Sequence, residues 1–150
     1  KNKISKELTK DIEKALQIAV ESHKGQTDKS NKPYIFHVLR VMHSVNTDEQ
    51  KITALLHDVV EDTDWTFDKL KQEGFSDEIV GAIDSVTKRK GEDYFTFVNR
   101  SKSNVIGRVV KIADIKDNLN IKRIEKPTDK DFEMMKRYRK ALRILKVKCN

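Results

Sequence analysis

Apolar residues along this chain recur mainly at helical spacing. Within Glu7 to His23, Ile12, Ala15, Leu16 and Ala19 fall at i, i+3, i+4 and i+7 with charged residues between them, which predicts an amphipathic helix. Gly25 to Pro33 is polar and rich in turn formers, so it reads as an exposed loop of the kind that carries recognition groups. Behind Pro33, a helix start signal, Val38, Val41 and Met42 predict a second helix from Tyr34 to about Ser44, with His37 and Arg40 near each other on it. A third helix opens at Thr47, with Gln50 three residues later completing a capping box, and carries Ile52, Leu55, Leu56, Val59 and Val60 as one stripe. Shorter helices follow over Thr66 to Gln72 and Ser76 to Val86; Ser76 caps the latter, and Asp77 and Glu78 suit the positive end of its dipole. Lys88 to Gly91 is a basic turn. Val105, Ile106, Val109, Val110 and Ala113 mark another helix, and Met134, Tyr138, Ala141, Leu142 and Leu145 mark a last one from Asp129 to Val147.

Composition narrows the class. A chain of 150 residues, 37% hydrophobic, suits one domain over 1–150, and no linker divides it. With 5 glycines and 2 prolines it lacks the turns of a β-sandwich, and no internal repeat is visible, so an all-α domain is expected. Its 31 Lys and Arg against 24 Asp and Glu give a net charge of +7, which draws polyanions without choosing among them. The single cysteine, Cys149, allows no intramolecular disulfide and fits a reducing, cytoplasmic setting. No apolar run approaches the ~18 residues of a membrane span, and Lys1 to Lys10 lack the apolar stretch of a signal peptide.

The chemistry concentrates after Ala54. His57 and Asp58 interrupt an apolar helical turn, where an unpaired charge is costly to bury. Taken alone, such a pair reads as a satisfied structural contact. Glu61 and Asp62, however, follow four residues after His57 and Asp58, so a continuing helix gathers three carboxylates and a histidine within about a turn and a half. That cluster sits at a helix C-terminus, where the dipole disfavours negative charge, and a bound cation is the economical compensation. His37 and Asp114, each at the edge of an apolar stripe, are candidate ligands from elsewhere, although either alone reads as an ordinary core histidine or surface aspartate.

The ordered set His37, His57-Asp58 and Asp114 resembles the H…HD…D signature of the HD superfamily of metal-dependent phosphohydrolases. The resemblance extends to His23-Lys24-Gly25-Gln26, to Lys32-Pro33-Tyr34-Ile35-Phe36-His37, to Ala54–Thr63 (ALLHDVVEDT) and to Lys111–Leu119 (KIADIKDNL), which look like successive motifs of the Rel/Spo alarmone hydrolase domains and their stand-alone small relatives. It implies an all-α, compact HD-domain bundle of about seven to nine helices. It also implies one divalent metal, manganese with Fe, Co or Zn acceptable, held by His37, His57, Asp58 and Asp114, with Glu61 and Asp62 as the catalytic acidic pair. The implied reaction removes pyrophosphate from the ribose 3′ position of ppGpp or pppGpp, leaving GDP or GTP. Lys29 and Ser30 match part of the family's nucleotide-contacting loop, Asn118 an asparagine near the ribose, and Tyr138 a tyrosine in the pocket of the small hydrolases. Lys88, Arg89, Lys111 and Arg137 are looser phosphate candidates, for which a solvated surface charge is the simpler reading.

Three departures stand out. Asp28 replaces an arginine that many relatives place beside the base, Val38 replaces a proline after the metal histidine, and Asp117 replaces a histidine before Asn118. None removes a ligand or the acidic pair. Asp28 and Asp117 favour, as alternative substrates, ppApp, NADPH or a nucleoside phosphate. A basic nucleic-acid-binding helical module ranks third, since no helix-turn-helix or aromatic-basic surface is evident. The expected partner is therefore a small nucleotide polyphosphate rather than a membrane or a nucleic acid, with the oligomeric state left open.

Overall fold

The computed structural model describes residues 3–147 of the chain, with side chains from 6 to 147; Cys149 lies outside the described residues. Among these the fold is all-α. Helices α1 (Lys3–Ser22), α2 (Ile35–His43), α3 (Asp48–Leu56), α4 (Val59–Asp62), α5 (Phe67–Gln72), α6 (Asp77–Ser85), α7 (Tyr94–Lys102), α8 (Val105–Asn118) and α9 (Asp129–Lys146) follow in order, with a 3-10 turn at Ile121–Arg123. No helix among the described residues is long and apolar enough to cross a membrane.

α3 is the centre of the bundle and packs against α1, α2, α6 and α8. Its residues Ile52 to Leu56 are all buried, so the second half of the helix is enclosed on every side, whereas its polar first turn is not. Side chains such as Leu55 and Leu56, wholly removed from water, each contribute about 1.5–3 kcal/mol through burial. A second cluster joins α2 and α3 to α8 through Val41, Ala54 and Val110, and a third, formed by Val98, Ile115, Ala141 and Leu145, ties α7, α8 and α9 together. Thr47 with Gln50, and Ser76, cap their helices as the sequence predicts, and Thr66 caps α5.

The structure corrects four expectations. The third helix does not run on to Asp62: Ala54 O accepts from both the His57 amide (3.4 Å) and the His57 ring (2.6 Å), Asp58 adopts φ −110°, ψ −1°, and the chain restarts as the single turn α4. Helix α7 was not expected. Its start is rich in aromatic and β-branched residues, which obscure a helical pattern, yet the Asp93 side chain caps it by accepting from the Phe95 and Thr96 amides. Val105 is 86% exposed and belongs to no core stripe, and in α9 the buried methionine is Met135, one place on from Met134.

Between α6 and α7 the basic turn is clamped. Arg100 grips Glu92 with two hydrogen bonds of 2.9 Å and donates to the Asp84 and Thr87 carbonyls at 2.9 and 2.8 Å, fixing both ends of residues 88–91. The Arg100 bonds hold the Glu92 carboxyl down at about 2, against an ordinary 4.5. Because the folded value lies below the unfolded one, the clamp stabilises fully above the unfolded value and fades as the pH falls from 4.5 toward 2. Glu92→Gln is accordingly expected to unfold at a lower temperature than wild type near neutral pH. Thermal unfolding followed by circular dichroism should show the two curves converging in acid; an unchanging gap would contradict the clamp.

Candidate functional site

Three elements supply the central cluster. α2 carries His37, the break between α3 and α4 carries His57 and Asp58, and α8 carries Asp114. The break explains why two polar residues can leave an apolar helix at this point, since it turns both side chains toward α2 and α8 instead of spacing them around a regular spiral. Ligand atoms of His37, His57 and Asp58 lie within 4.8 Å of one another, a possible metal site. Asp114 Oδ1 joins them at 3.0 Å from His37 Nε2 and 3.4 Å from His57 Nε2.

Both imidazoles present Nε2 to the centre. His57 Nδ1 donates to Ala54 O at 2.6 Å, and His37 Nδ1 donates to Asp117 Oδ2 at 2.6 Å. In a neutral ring this arrangement leaves the lone pair on the inward nitrogen, the tautomer a metal takes. His57 Nε2 is buried without a hydrogen-bond partner, although Asp58 Oδ2 lies at 3.0 Å. A buried nitrogen facing carboxylates at angles unsuited to hydrogen bonding, within a mixed nitrogen and oxygen donor set, fits a divalent cation.

The electrostatics agree. Burial pulls His37 down, but its bonds to Asp114 and then Asp117 outweigh this and leave it at about 9. Burial likewise opposes protonation of His57, and the charges of Asp58 and Asp114 overcome it. Burial works to raise Asp114, and the Lys111 and His57 charges hold it well below the usual carboxylate range. The carboxylates thus call for positive charge at this point, which protons on the histidines or a cation can meet. Glu61 and Asp62 behave differently. Both are raised, first by burial; Asp58 then adds to each, while the Lys88 backbone bond opposes the shift at Glu61 and Gln26 opposes it at Asp62. Carboxyls raised in this way hold a proton more readily than free ones, which suits them to proton exchange beside a cation site.

Two cavities adjoin the cluster. The larger, about 300 Å³, is lined by Thr27, Asp28, Lys29 and Ser30 from the first loop, by Tyr34 and His37, by Asn118, Asn120, Arg123 and Ile124, and by Met135 and Tyr138 of α9. The smaller, about 190 Å³, shares Tyr34, Asn118 and Tyr138 with it and reaches Asp58, Glu61, Lys88, Tyr94, Lys111 and Asp114. Their common walls join the larger, outer cavity, bordered by His37, to the smaller, inner one, bordered by Asp58 and Asp114, in one elongated site with the cluster where the two meet.

Comparison with known proteins bears on what this site belongs to. A family model described as HD domain matches residues 15–113. The chain belongs to the HD-domain family. This HD domain is 33% identical over 126 residues to the Drosophila melanogaster protein named guanosine-3′,5′-bis(diphosphate) 3′-pyrophosphohydrolase MESH1, covering 75% of the chain and 70% of the relative. It is 31% identical over 121 residues to an Aquifex aeolicus guanosine-3′,5′-bis(diphosphate) 3′-pyrophosphohydrolase, covering 73% of the chain but 17% of that protein, and the curated relatives from Mycobacterium leprae and Streptomyces coelicolor are covered to 16% and 14%. A solved structure described as a metazoan ortholog of SpoT that hydrolyzes ppGpp and plays a role in starvation responses superposes with a TM-score of 0.73 at 25% identity, over 90% of this chain and 84% of that one.

The sequence-predicted residues divide in this HD domain. His37, His57, Asp58 and Asp114 meet at one point, and Lys29, Ser30, Asn118 and Tyr138 all line the larger cavity. Asn118 donates to Asp114 Oδ1 at 3.2 Å, and Lys29 is paired with Asp131 at 3.1 Å. Glu61 reaches the inner cavity, whereas Asp62 turns toward Gln26, whose amide donates to it at 3.4 Å. Lys88 and Lys111 line the inner cavity; Arg89 pairs with Asp84, and Arg137 covers the Tyr94 ring at 5.0 Å, neither arginine bordering these cavities. Asp28 lines the cavity, but its Oδ1 accepts the Ser30 and Lys32 amides at 2.8 and 3.0 Å, so this carboxylate shapes the loop.

Sequence reasoning assigned no role to Tyr34, Tyr94 or Arg123. The Tyr34 hydroxyl donates to Asp58 Oδ2, and burial followed by the Asp58 charge keeps its proton on. The Tyr94 hydroxyl is buried without a partner beside the inner cavity. Tyr34 carries a signal in the sequence, its place in the Lys32–His37 motif; Tyr94 and Arg123 carry none of their own.

Proposed function

We propose that this HD domain removes pyrophosphate from the ribose 3′ position of ppGpp or pppGpp, giving GDP or GTP, and that it does so with manganese. The observation that supports this most is the elongated site itself. A nucleotide-sized outer cavity that His37 borders shares walls with an inner one bordered by Asp58, Asp114 and Glu61. The names of the relatives point to the same substrate.

In this reading His37, His57, Asp58 and Asp114 hold the cation. When bound, manganese neutralises phosphate charge and makes a water more acidic. The remaining steps belong to the chain. Lys29 and Ser30 at the loop, with Asn118 and Tyr138 opposite, hold the nucleoside and orient its 3′ oxygen inward. Lys88, and the partnerless Tyr94 hydroxyl, meet pyrophosphate oxygens in the inner cavity. Glu61 has Oε1 fixed by the Lys88 amide at 2.9 Å, which aims its other oxygen. Glu61 takes a proton from the attacking water and returns one to the departing 3′ oxygen, with Asp62, held toward Gln26, as the second acid of the pair.

Asp28 and Asp117, the departures that favour another nucleotide, both have structural partners, and Asp117 does not border either cavity. That weakens the case for a rebuilt specificity. The test is manganese-dependent hydrolysis of ppGpp, with ppApp and NADPH in parallel and products identified by mass spectrometry. Release of pyrophosphate and GDP is expected. With manganese bound, turnover of ppApp or NADPH but not ppGpp would replace the guanine reading while keeping the HD chemistry.

A further inference from the structure

We infer that Asp117 is a positioning residue that locks the His37 ring in the orientation the metal requires; this rests on reading His37 as a metal ligand. Asp117 lies behind the cluster, facing Ser44 and Lys116 rather than the elongated site. Its carboxylate is 14% exposed and collects four hydrogen bonds. Oδ2 accepts from His37 Nδ1 at 2.6 Å, from Arg40 Nη2 at 3.2 Å and from Arg123 Nη2 at 3.1 Å, and Oδ1 accepts from Arg40 Nε at 2.8 Å.

An imidazole can turn over about its bond to Cβ and present either nitrogen. A fixed acceptor on Nδ1 removes that freedom and commits Nε2 to the opposite side. Here Nε2 stands 3.0 Å from Asp114 Oδ1, inside the cluster. His57 is oriented by a backbone carbonyl that cannot move, but His37 depends on a side chain, and a side chain orients another only if it is itself held. The Arg40 fork, from the same helix as His37, and Arg123, from the 3-10 turn, provide that hold from two directions. Arg123 also lines the outer cavity, so the contact joins the wall of the nucleotide site to the back of the cluster.

Asp117→Asn separates this role from a simple tie between α2 and α8. The amide keeps the shape but replaces one oxygen with a donor, and every partner on both oxygens is itself a donor. Either the His37 ring turns over or one contact is lost. Manganese dissociation constants, measured by competition with a chelator, are compared for wild type, Asp117→Asn and His37→Ala, alongside the visible spectrum of the cobalt-loaded proteins and the Tm of the metal-free ones. Asp117→Asn should weaken manganese binding about 10- to 100-fold and change the cobalt spectrum. A lowered Tm with unchanged affinity and spectrum would overturn the proposal and leave Asp117 a structural tie. His37→Ala binding manganese as wild type does would overturn the metal-site reading and this proposal with it. Should Asp117→Asn fail to fold, Arg40→Gln releases the carboxylate while sparing its contact with His37, and the same losses, smaller in size, are expected; unchanged affinity there overturns the proposal.

Discussion

Asp58→Ala is expected to abolish manganese binding and to lower turnover by about 10³-fold or more, since losing a Lewis acid costs several kcal/mol of transition-state stabilisation. Asp58 stands between the two groups that would miss it most. Its Oδ2 is 3.0 Å from the orphaned His57 Nε2 and accepts the Tyr34 hydroxyl, so the substitution removes one negative charge, one ligand and the partner of a buried hydroxyl together. The fold should survive. Asp58 makes no side-chain cap to α4, and the break it occupies is set by the His57 bond to Ala54 O. Isothermal titration with manganese reads the first effect and far-ultraviolet circular dichroism the second. Wild-type manganese affinity in a folded variant would remove Asp58 from the metal site.

Glu61→Gln separates binding from chemistry. Glutamine retains an oxygen for the Lys88 amide, so the loop contact and the local shape persist, while the proton-accepting carboxylate is gone. Manganese should bind as in wild type and kcat should fall about 10²- to 10⁴-fold, the range for loss of a general acid or base. The equivalent change at Asp62, which faces Gln26 and borders neither cavity, should cost less. A folded Glu61→Gln enzyme of normal kcat would transfer the proton-handling role to another group.

The four cluster residues were legible in the sequence for a physical reason: polar side chains at the edge of apolar stripes must be compensated, and their order matched a known signature. Cap signals at Thr47 and Ser76 were legible because they are local. What escaped depends on neighbours distant along the chain. The stripe from Ile52 to Val60 gives no sign of a break, because the break comes from a histidine ring competing for its own helix carbonyl. Helix α7 opens with residues that favour strands and is settled by packing of Phe97 and Val98. Arg123 acquires its place only when residues 117 and 123 fold back over α2.

The closing of the outer cavity by α9 has an evolutionary consequence. Everything proposed for bond breaking falls between His37 and Asp114, whereas half of the residues lining the outer cavity come from residues 118–138, a stretch tied back to the first loop by Lys29 to Asp131 and by Ser30 to the Arg123 carbonyl. α2, through His37, thus serves both parts of the proposed site, whereas the wall that follows Asp114 is proposed for the nucleotide side alone. Exchange of the segment that follows Asp114 between relatives would alter that wall while leaving the histidine–aspartate cluster and Glu61 in place.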